Sequence, residues 1–469
     1  MRSYPLAVAK LLALLLAPGV TWAGEAVSLE TDPVLARLVE ETLAARPELR
    51  QAEASLRADR ERVSQVGALP DPVLQLGIQN DGFQEIAIGK METSYWLVML
   101  SQTFPWPGKR GLRSDVARRS ADEGEAALSR ARLGAEGDVR RAYLDLLVAR
   151  DRLGLLSRLE LVWRKSADLA RARYESGQAA QSDLLRAQLE QNRLRQRRFV
   201  LEAQEHTAVQ RLDRLRQRPL GEPIATSLSL REVTLAPALG DAAALDDALT
   251  RSPELARARS ESARTAAAVD LARRERFPDL TVSAGIMPRG PLDPMWQANL
   301  YIPIPVWGGS KQGRAVAEGE ARSEVGARGA EAIEAELRLR VAERQAAGAA
   351  LADTVRLYRE GLLVQSRATL ESTLAQYAVG RVTFASVLEA NAGYVSDEEG
   401  HLGAVADAER LAIATREVSL DPVGLVAGSG GGGAIPGAGS TGGSSGSAPA
   451  AAAGGASSGA QSSGMAPGM

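Results

Sequence analysis

Few side chains in this sequence are equipped for covalent chemistry. Its 469 residues include no cysteine, which removes thiolate nucleophiles, disulfides, thiolate metal sites and a lipidated N-terminal cysteine. The two histidines, His206 and His401, stand far apart in sequence, so an imidazole-built metal centre lacks ligands. No paired acid and base and no G-x-S-x-G element occurs. Gly308-Gly309 precedes a helical stretch without the remaining residues of a phosphate-binding loop, and reads as a strand-to-helix turn. A net charge of −2 supplies no basic field for nucleic acid. The expectation is a protein that is not an enzyme, with no catalytic residue, no cofactor and no resident metal. What remains is a large stock of carboxylates and guanidinium groups, whose ordinary place on a helix is a solvated face.

Long helices must carry those charges. Charged residues make up 24% of the chain and aromatics only 4%, and Ala, Leu, Arg and Glu crowd its middle, which is the composition of long helices. No proline occurs between Pro107 and Pro219 or between Pro305 and Pro422, so both stretches are expected to be helical. Gly111 to Tyr174 as one helix would run about 95 Å at 1.5 Å per residue. Ala187, Leu194, Leu201, Ala208 and Leu215 recur every seventh residue as a coiled-coil seam. Leu351, Val355, Tyr358 and Leu362 form a second apolar stripe. Gly177 and Gly380 sit where each long helix has to turn back, which makes them hairpin tips.

The core is one unit written twice. Arg46-Pro47-Glu48-Leu49 returns as Ser252-Pro253-Glu254-Leu255, and Leu69-Pro70-Asp71 as Phe277-Pro278-Asp279. The run from Phe104 to Arg110 returns as Pro303 to Gly309, and Tyr174-Glu175-Ser176-Gly177 as Tyr377-Ala378-Val379-Gly380. The landmarks keep their order about 200 residues apart, the mark of an internal repeat. The repeats span about 30–218 and 241–420.

Each repeat also holds two short alternating stretches, within about 71–104 and 279–304. Leu74, Leu76 and Ile78 alternate with Gln75, Gly77 and Gln79; Leu280, Val282, Ala284 and Ile286 with Thr281, Ser283 and Gly285; Trp296, Ala298, Leu300 and Ile302 with Gln297, Asn299 and Tyr301. Strands of roughly nine residues suit a tilted bilayer crossing, with the apolar side toward lipid and the polar side toward a wet lumen. Trp96 and Trp296 at one end, and Trp106 and Trp307 at the other, suit the two interfacial aromatic girdles of such a barrel. Four strands cannot close in lipid, where open edges are not tolerated, so several copies must assemble.

The ends of the sequence carry their own signals. Arg2 and Lys10 flank the apolar run Leu11–Leu16, followed by Pro18, Gly19 and Thr21-Trp22-Ala23. Residues 1–23 therefore read as a secretory signal peptide cleaved after Ala23. Residues 24–427 hold the repeated core, and 428–469, rich in Gly, Ser and Ala and free of charge, are expected to be a disordered tail.

Taken in order, these landmarks resemble the TolC family of outer-membrane efflux ducts. The resemblance runs from about Asp32 to Leu420 and rests on Pro-Glu-Leu at the helix starts, Leu69-Pro70-Asp71-Pro72 before the first strand, and the paired Tyr-x-x-Gly tips. The fold class it implies is mainly α with a small β part: long coiled-coil hairpins and four transmembrane strands per chain, joined in a trimeric α/β barrel with internal two-fold repeat. It implies a homotrimer whose 12-strand barrel lies in outer-membrane lipid and continues as a 12-helix tunnel across the periplasm. It also implies a periplasmic adaptor and an inner-membrane pump as partners. The stretch from Asp71 to Lys109 most resembles the branch that exports heavy-metal cations.

The resemblance also implies roles for single residues. Gly177 and Gly380 would mark the tips that meet the adaptor and close the periplasmic entrance. Asp183 matches an acidic residue that bonds to a neighbouring hairpin, and Tyr377 matches one of its partners. Arg381 stands one residue nearer the glycine than the family's arginine. Glu389 matches one of two carboxylates lining the constriction, and Ser386 replaces the other. A periplasmic adaptor would instead carry one hairpin between β-rich halves, and a structural coiled-coil protein of the envelope would have no use for strand pairs ending in tryptophan.

Overall fold

The computed structural model describes residues 28–235 and 240–422. The signal peptide expected at 1–23 and the tail expected at 428–469 lie outside the described residues. Among the described residues a 3-10 turn at Leu29–Thr31 leads into two helices, α1 (Pro33–Ala45) and α2 (Pro47–Gly67). Strands β1 (Val73–Gln79) and β2 (Tyr95–Phe104) follow, then α3 (Lys109–Glu175) and α4 (Gln181–Leu215). The same order returns in α5 (Asp241–Arg251), α6 (Pro253–Arg274), β3 (Leu280–Arg289) and β4 (Leu292–Tyr301). It closes with α7 (Gln312–Leu357), a π turn at Tyr358–Leu362, α8 (Leu363–Ala378) and α9 (Phe384–Arg416).

Local chemistry places the helix ends. Asp32 caps α1 by accepting the Val34 amide, and Ser252 caps α6 by accepting that of Leu255, each next to a proline in the first turn. With nothing to break it, α3 runs uninterrupted for 67 residues, about 100 Å at 1.5 Å per residue. In the second repeat the π turn interrupts the equivalent helix between α7 and α8.

The strands form one antiparallel sheet in the order β1-β2-β3-β4, with β1 and β4 as edges that no other described residue pairs with. Its register sorts the side chains by polarity. Leu76 faces Val98, which faces Ile286, which faces Trp296; Leu74 faces Leu100, which faces Ala284. The opposite side carries Gln75, Ser101, Ser283 and Asn299, with Thr103 bonded to Thr281 at 3.0 Å and Tyr95 to Gln79 at 2.6 Å. Leu76 is 68% exposed and Trp296 79%, so the apolar side of this sheet has no cover among the described residues. Among the described residues no helix is long and apolar enough to cross a membrane.

Two apolar clusters hold the helices together. One joins Leu35 and Leu38 of α1, Tyr143, Leu144, Leu146, Leu147 and Val148 of α3, Leu212 of α4 and Leu402 and Val405 of α9 with Leu230 and Val233 of the segment between the repeats. The other, toward the hairpin tips, joins Leu159 and Trp163 of α3 with Ala187 and Leu194 of α4, Tyr377 of α8 and Phe384 of α9. The sevenfold spacing read on α4 is thus the line along which it meets α3.

Candidate functional site: the hairpin tips and the sheet-to-helix junction

Both tips are built by the same backbone device. Gly177 and Gly380 adopt φ of +72° and +77°, a region that costs a residue with a Cβ roughly 1–2 kcal/mol. The Gln178 amide donates to the Arg173 carbonyl and the Gly177 amide to that of Tyr174. At the second tip Arg381 donates to Gln376 and Gly380 to Tyr377. These paired bonds satisfy the last carbonyls of α3 and α8.

The two tips of one chain touch. The Tyr377 hydroxyl donates to the Asp183 carboxylate at 3.4 Å, linking the end of α8 to the first turn of α4. Burial raises the phenol's pKa, and Asp183 raises it further against the opposing pull of Arg173. Arg173 was not legible as a site residue. Its guanidinium lies 4.8 Å from the centre of the Tyr377 ring and donates to the Tyr377 carbonyl and to that of Gln178 at 3.2 Å. The second repeat has Gln376 at the matching place, so comparison of the repeats hides it. Phe384 packs its ring 5.4 Å from that of Tyr377 and Trp163 packs on Phe384 in turn. Their large apolar rings were the one signal the sequence offered.

Arg381, grouped with these residues on sequence, is exposed and has no side-chain partner among the described residues; Arg173 occupies the contact with Tyr377. Glu389 and Ser386 do come together. They line a groove of about 400 Å³ between α8 and α9, with Ser366, Thr369, Thr373 and Tyr394. Ser386 is within 3.3 Å of the Thr383 hydroxyl. Among the described residues no group of three or more carboxylate or imidazole side chains gathers as a metal centre would. His206 is exposed on α4, while His401 is buried on α9 beside Arg359, and burial together with Arg359 and Arg231 pushes its pKa down to about 4.

The tryptophans separate into two kinds. Trp96, Trp296 and Trp307 are exposed, Trp96 opposite Ile78 and Trp296 opposite Ile286. Trp296 stands inside β4 rather than at its end, because the hairpin continues to a tight turn at Gly290-Pro291. Trp106 differs from its expected girdle role. It stacks on Phe277 at 5.3 Å, and its amide donates to Asp279 at 2.9 Å. Lys109, buried at the start of α3, donates to the same carboxylate at 2.7 Å. The exit from β2 is thereby bolted to the entrance of β3. Strand pairing also refines the repeat alignment: Val73 faces Ser101 as Thr281 faces Tyr301, so Phe104 matches Ile304 rather than Pro303.

The arrangement offers an apolar belt, a polar opposite face and two interlocked hairpin tips. The sequence profile of the outer membrane efflux proteins matches residues 38–216 and 244–410. No curated protein sequence matches the chain. Among solved structures it is similar to the outer-membrane channel OprN, with a TM-score of 0.71 at 20% identity over 83% of this chain and 91% of that one. It is similar to CusC, with a TM-score of 0.70 at 18% identity over 82% and 92%. It is similar also to the outer membrane protein VceC of Vibrio cholerae, with a TM-score of 0.70 at 17% identity over 82% and 96%.

Proposed function

Because this chain belongs to the outer membrane efflux protein family, we propose that it is the outer-membrane exit duct of a tripartite efflux system. It performs passage and no covalent chemistry. The observation that carries this reading is the sheet: four strands which, among the described residues, have an uncovered apolar face, a polar opposite face and two unpaired edges. Such a sheet is stable in lipid only when copies close it into a ring. Three copies give twelve strands, and the helical hairpins below them give a periplasmic tunnel. The homotrimer receives its cargo through a periplasmic adaptor seated on the tips at Gly177 and Gly380, fed by an inner-membrane pump. Asp183 and Tyr377 hold the entrance shut, and Glu389 with Ser386 lines its constriction. The resemblance of Asp71–Lys109 to the heavy-metal branch supports metal cations as the cargo. Three close Glu389 carboxylates would favour cations in transit.

Fractionation and native mass test the duct. A trimer in the outer membrane that conducts ions in planar bilayers is expected; a soluble monomer would refute it. Deletion in the source cell should raise sensitivity to metal salts and not to organic dyes if metal cations are the cargo.

A further inference from the structure

The chain has 7 methionines and no other sulfur. Met1 belongs to the expected signal peptide, and Met465 and Met469 to the terminal stretch. The other four, Met91, Met99, Met287 and Met295, all fall within the two β hairpins, and none of the described helices carries one. Strand register gathers three of them. Met287 stands directly opposite Met295, which sets their Cβ atoms about 4.5–5.5 Å apart. Met99 stands opposite Gly285, two residues before Met287 on the same side of β3. Gly285 in turn faces Gln297, two residues beyond Met295. With no side chain at Gly285 to intervene, the Met99 sulfur reaches over β3 and accepts the Gln297 amide at 3.6 Å. A Cβ at Gly285 would lie 3.1 Å from that of Met99, closer than ordinary van der Waals contact. The Met99 sulfur therefore lies one side-chain place from Met295 along β4, and Met287 stands across from Met295.

These sulfurs sit on the side of the sheet that carries Ser101, Ser283 and Asn299, the side that faces the lumen in the proposed duct. Met99 and Met287 are buried there and Met295 is half-buried. From Thr281 to Met287, and along the residues of β2 and β4 that face them, this side holds hydroxyls, amides and thioethers and no charged group. Hard divalent cations take oxygen ligands, above all carboxylates, and zinc adds imidazole or thiolate; the patch has none of these. A thioether is a soft, neutral ligand that suits copper(I). Packing alone does not call for sulfur, because Leu97 stands on the same side of β2 next to Met99. The geometry points to a soft-metal transit site, in which Met99, Met287 and Met295 bind a closed-shell monovalent cation, copper(I) or silver(I), on the lumenal side of the sheet. The cation enters and leaves without change of oxidation state, and the neutral ligands release no proton on binding it. This inference rests on the exit-duct reading and narrows its cargo from metal cations in general to soft monovalent ones.

Silver(I) in a chloride-free nitrate buffer is the probe, because it keeps its oxidation state in air. The full-length protein, purified in detergent, should retain silver after dialysis. The combined variant Met99→Leu, Met287→Leu and Met295→Leu, a swap that conserves volume, should assemble as the parent does and lose that silver. Exposed His206 and the terminal methionines are common to both proteins, so the difference reads the three sulfurs alone. Met91→Leu, at an exposed place between β1 and β2, should keep the silver. In planar bilayers silver should lower the parent's current and leave that of the combined variant unchanged. A second reading needs no variant: silver should slow sulfoxide formation by peroxide at Met99, Met287 and Met295, and not at Met91. Parent-level silver in the assembled combined variant, or equal oxidation rates with and without silver, overturns the site. Zinc(II) retained by the parent and lost with the three methionines overturns the soft-ion assignment. A protein that conducts no ions, yet loses its silver with the three methionines, overturns the duct reading and keeps the binding site.

Discussion

Closure of the hairpin tips can be tested at the one polar contact that joins them. Tyr377 donates to Asp183 at 3.4 Å, a long bond. A net contribution near the lower part of the usual range, about 0.5–1.5 kcal/mol, is therefore appropriate. Arg173 over the Tyr377 ring at 4.8 Å adds a cation–π term of about 0.5–1 kcal/mol at a partly exposed site. Asp183→Ala with Tyr377→Phe removes the bond and keeps the ring and its cation. Three copies in the proposed trimer would lose about 3 kcal/mol together, shifting the closed-to-open ratio on the order of 100-fold. Single-channel recording in planar bilayers reads this directly: the double variant should conduct markedly more than the parent, with trimer and barrel intact. Arg173→Ala added to the pair should open the duct further. Unchanged conductance in the double variant, with increased conductance in Arg173→Ala alone, would show that the hydroxyl–carboxylate bond does not hold the tips. Unchanged conductance in all three would make these residues ordinary coiled-coil surface.

Three further outcomes follow from other contacts. Gly380→Ala should loosen the second tip by about 1–2 kcal/mol or more, since a Cβ there meets Arg173 Nη2 at 3.0 Å, whereas Gly177→Ala meets open space; limited proteolysis at the tips should rise more for the former. Glu409, buried on α9, has its pKa pushed up to about 7 by burial and then by Glu30. The folded chain keeps a proton that the unfolded chain has lost between about 4.5 and 7, so this stabilisation is full below 4.5 and fades as pH rises through 7. Glu409→Gln should therefore raise the melting midpoint at pH near 8, by the equivalent of about 2–3 kcal/mol, and change it little in acid. His401 acts in the opposite sense, costing stability as pH falls from 6.5 toward 4. Glu389→Gln should lower cation selectivity in reversal-potential measurements while leaving tip contacts untouched.

The elements were legible because their signals are local. The proline-free stretches are α3–α4 and α7–α9, the seam from Ala187 to Leu215 runs along α4 where it meets α3, and the alternating runs are the four strands. Gly177 and Gly380 were legible as tips because a positive φ after a helix selects glycine at that place. Asp183 and Tyr377 were named through resemblance, and the fold brings them within hydrogen-bond reach.

Hydrophobic period, proline spacing and glycine placement thus determined which segments are helix and strand, because each depends on residues a few positions apart. Pairs separated by hundreds of positions needed the tertiary structure. Arg173 reaches Tyr377, and Lys109 reaches Asp279, across the boundary between repeats. No local pattern encodes such pairs, and repeat symmetry masks them: Gln376 and Gln312 hold the equivalent places. Trp106 and Trp307 look alike in sequence, yet one is stacked against Phe277 and the other exposed. The physical reason is that, among the described residues, β2 has a partner strand on both sides and β4, paired with β3, on one side only. Only the folded sheet decides which of two similar indoles meets a partner and which edge is left to pair with another molecule.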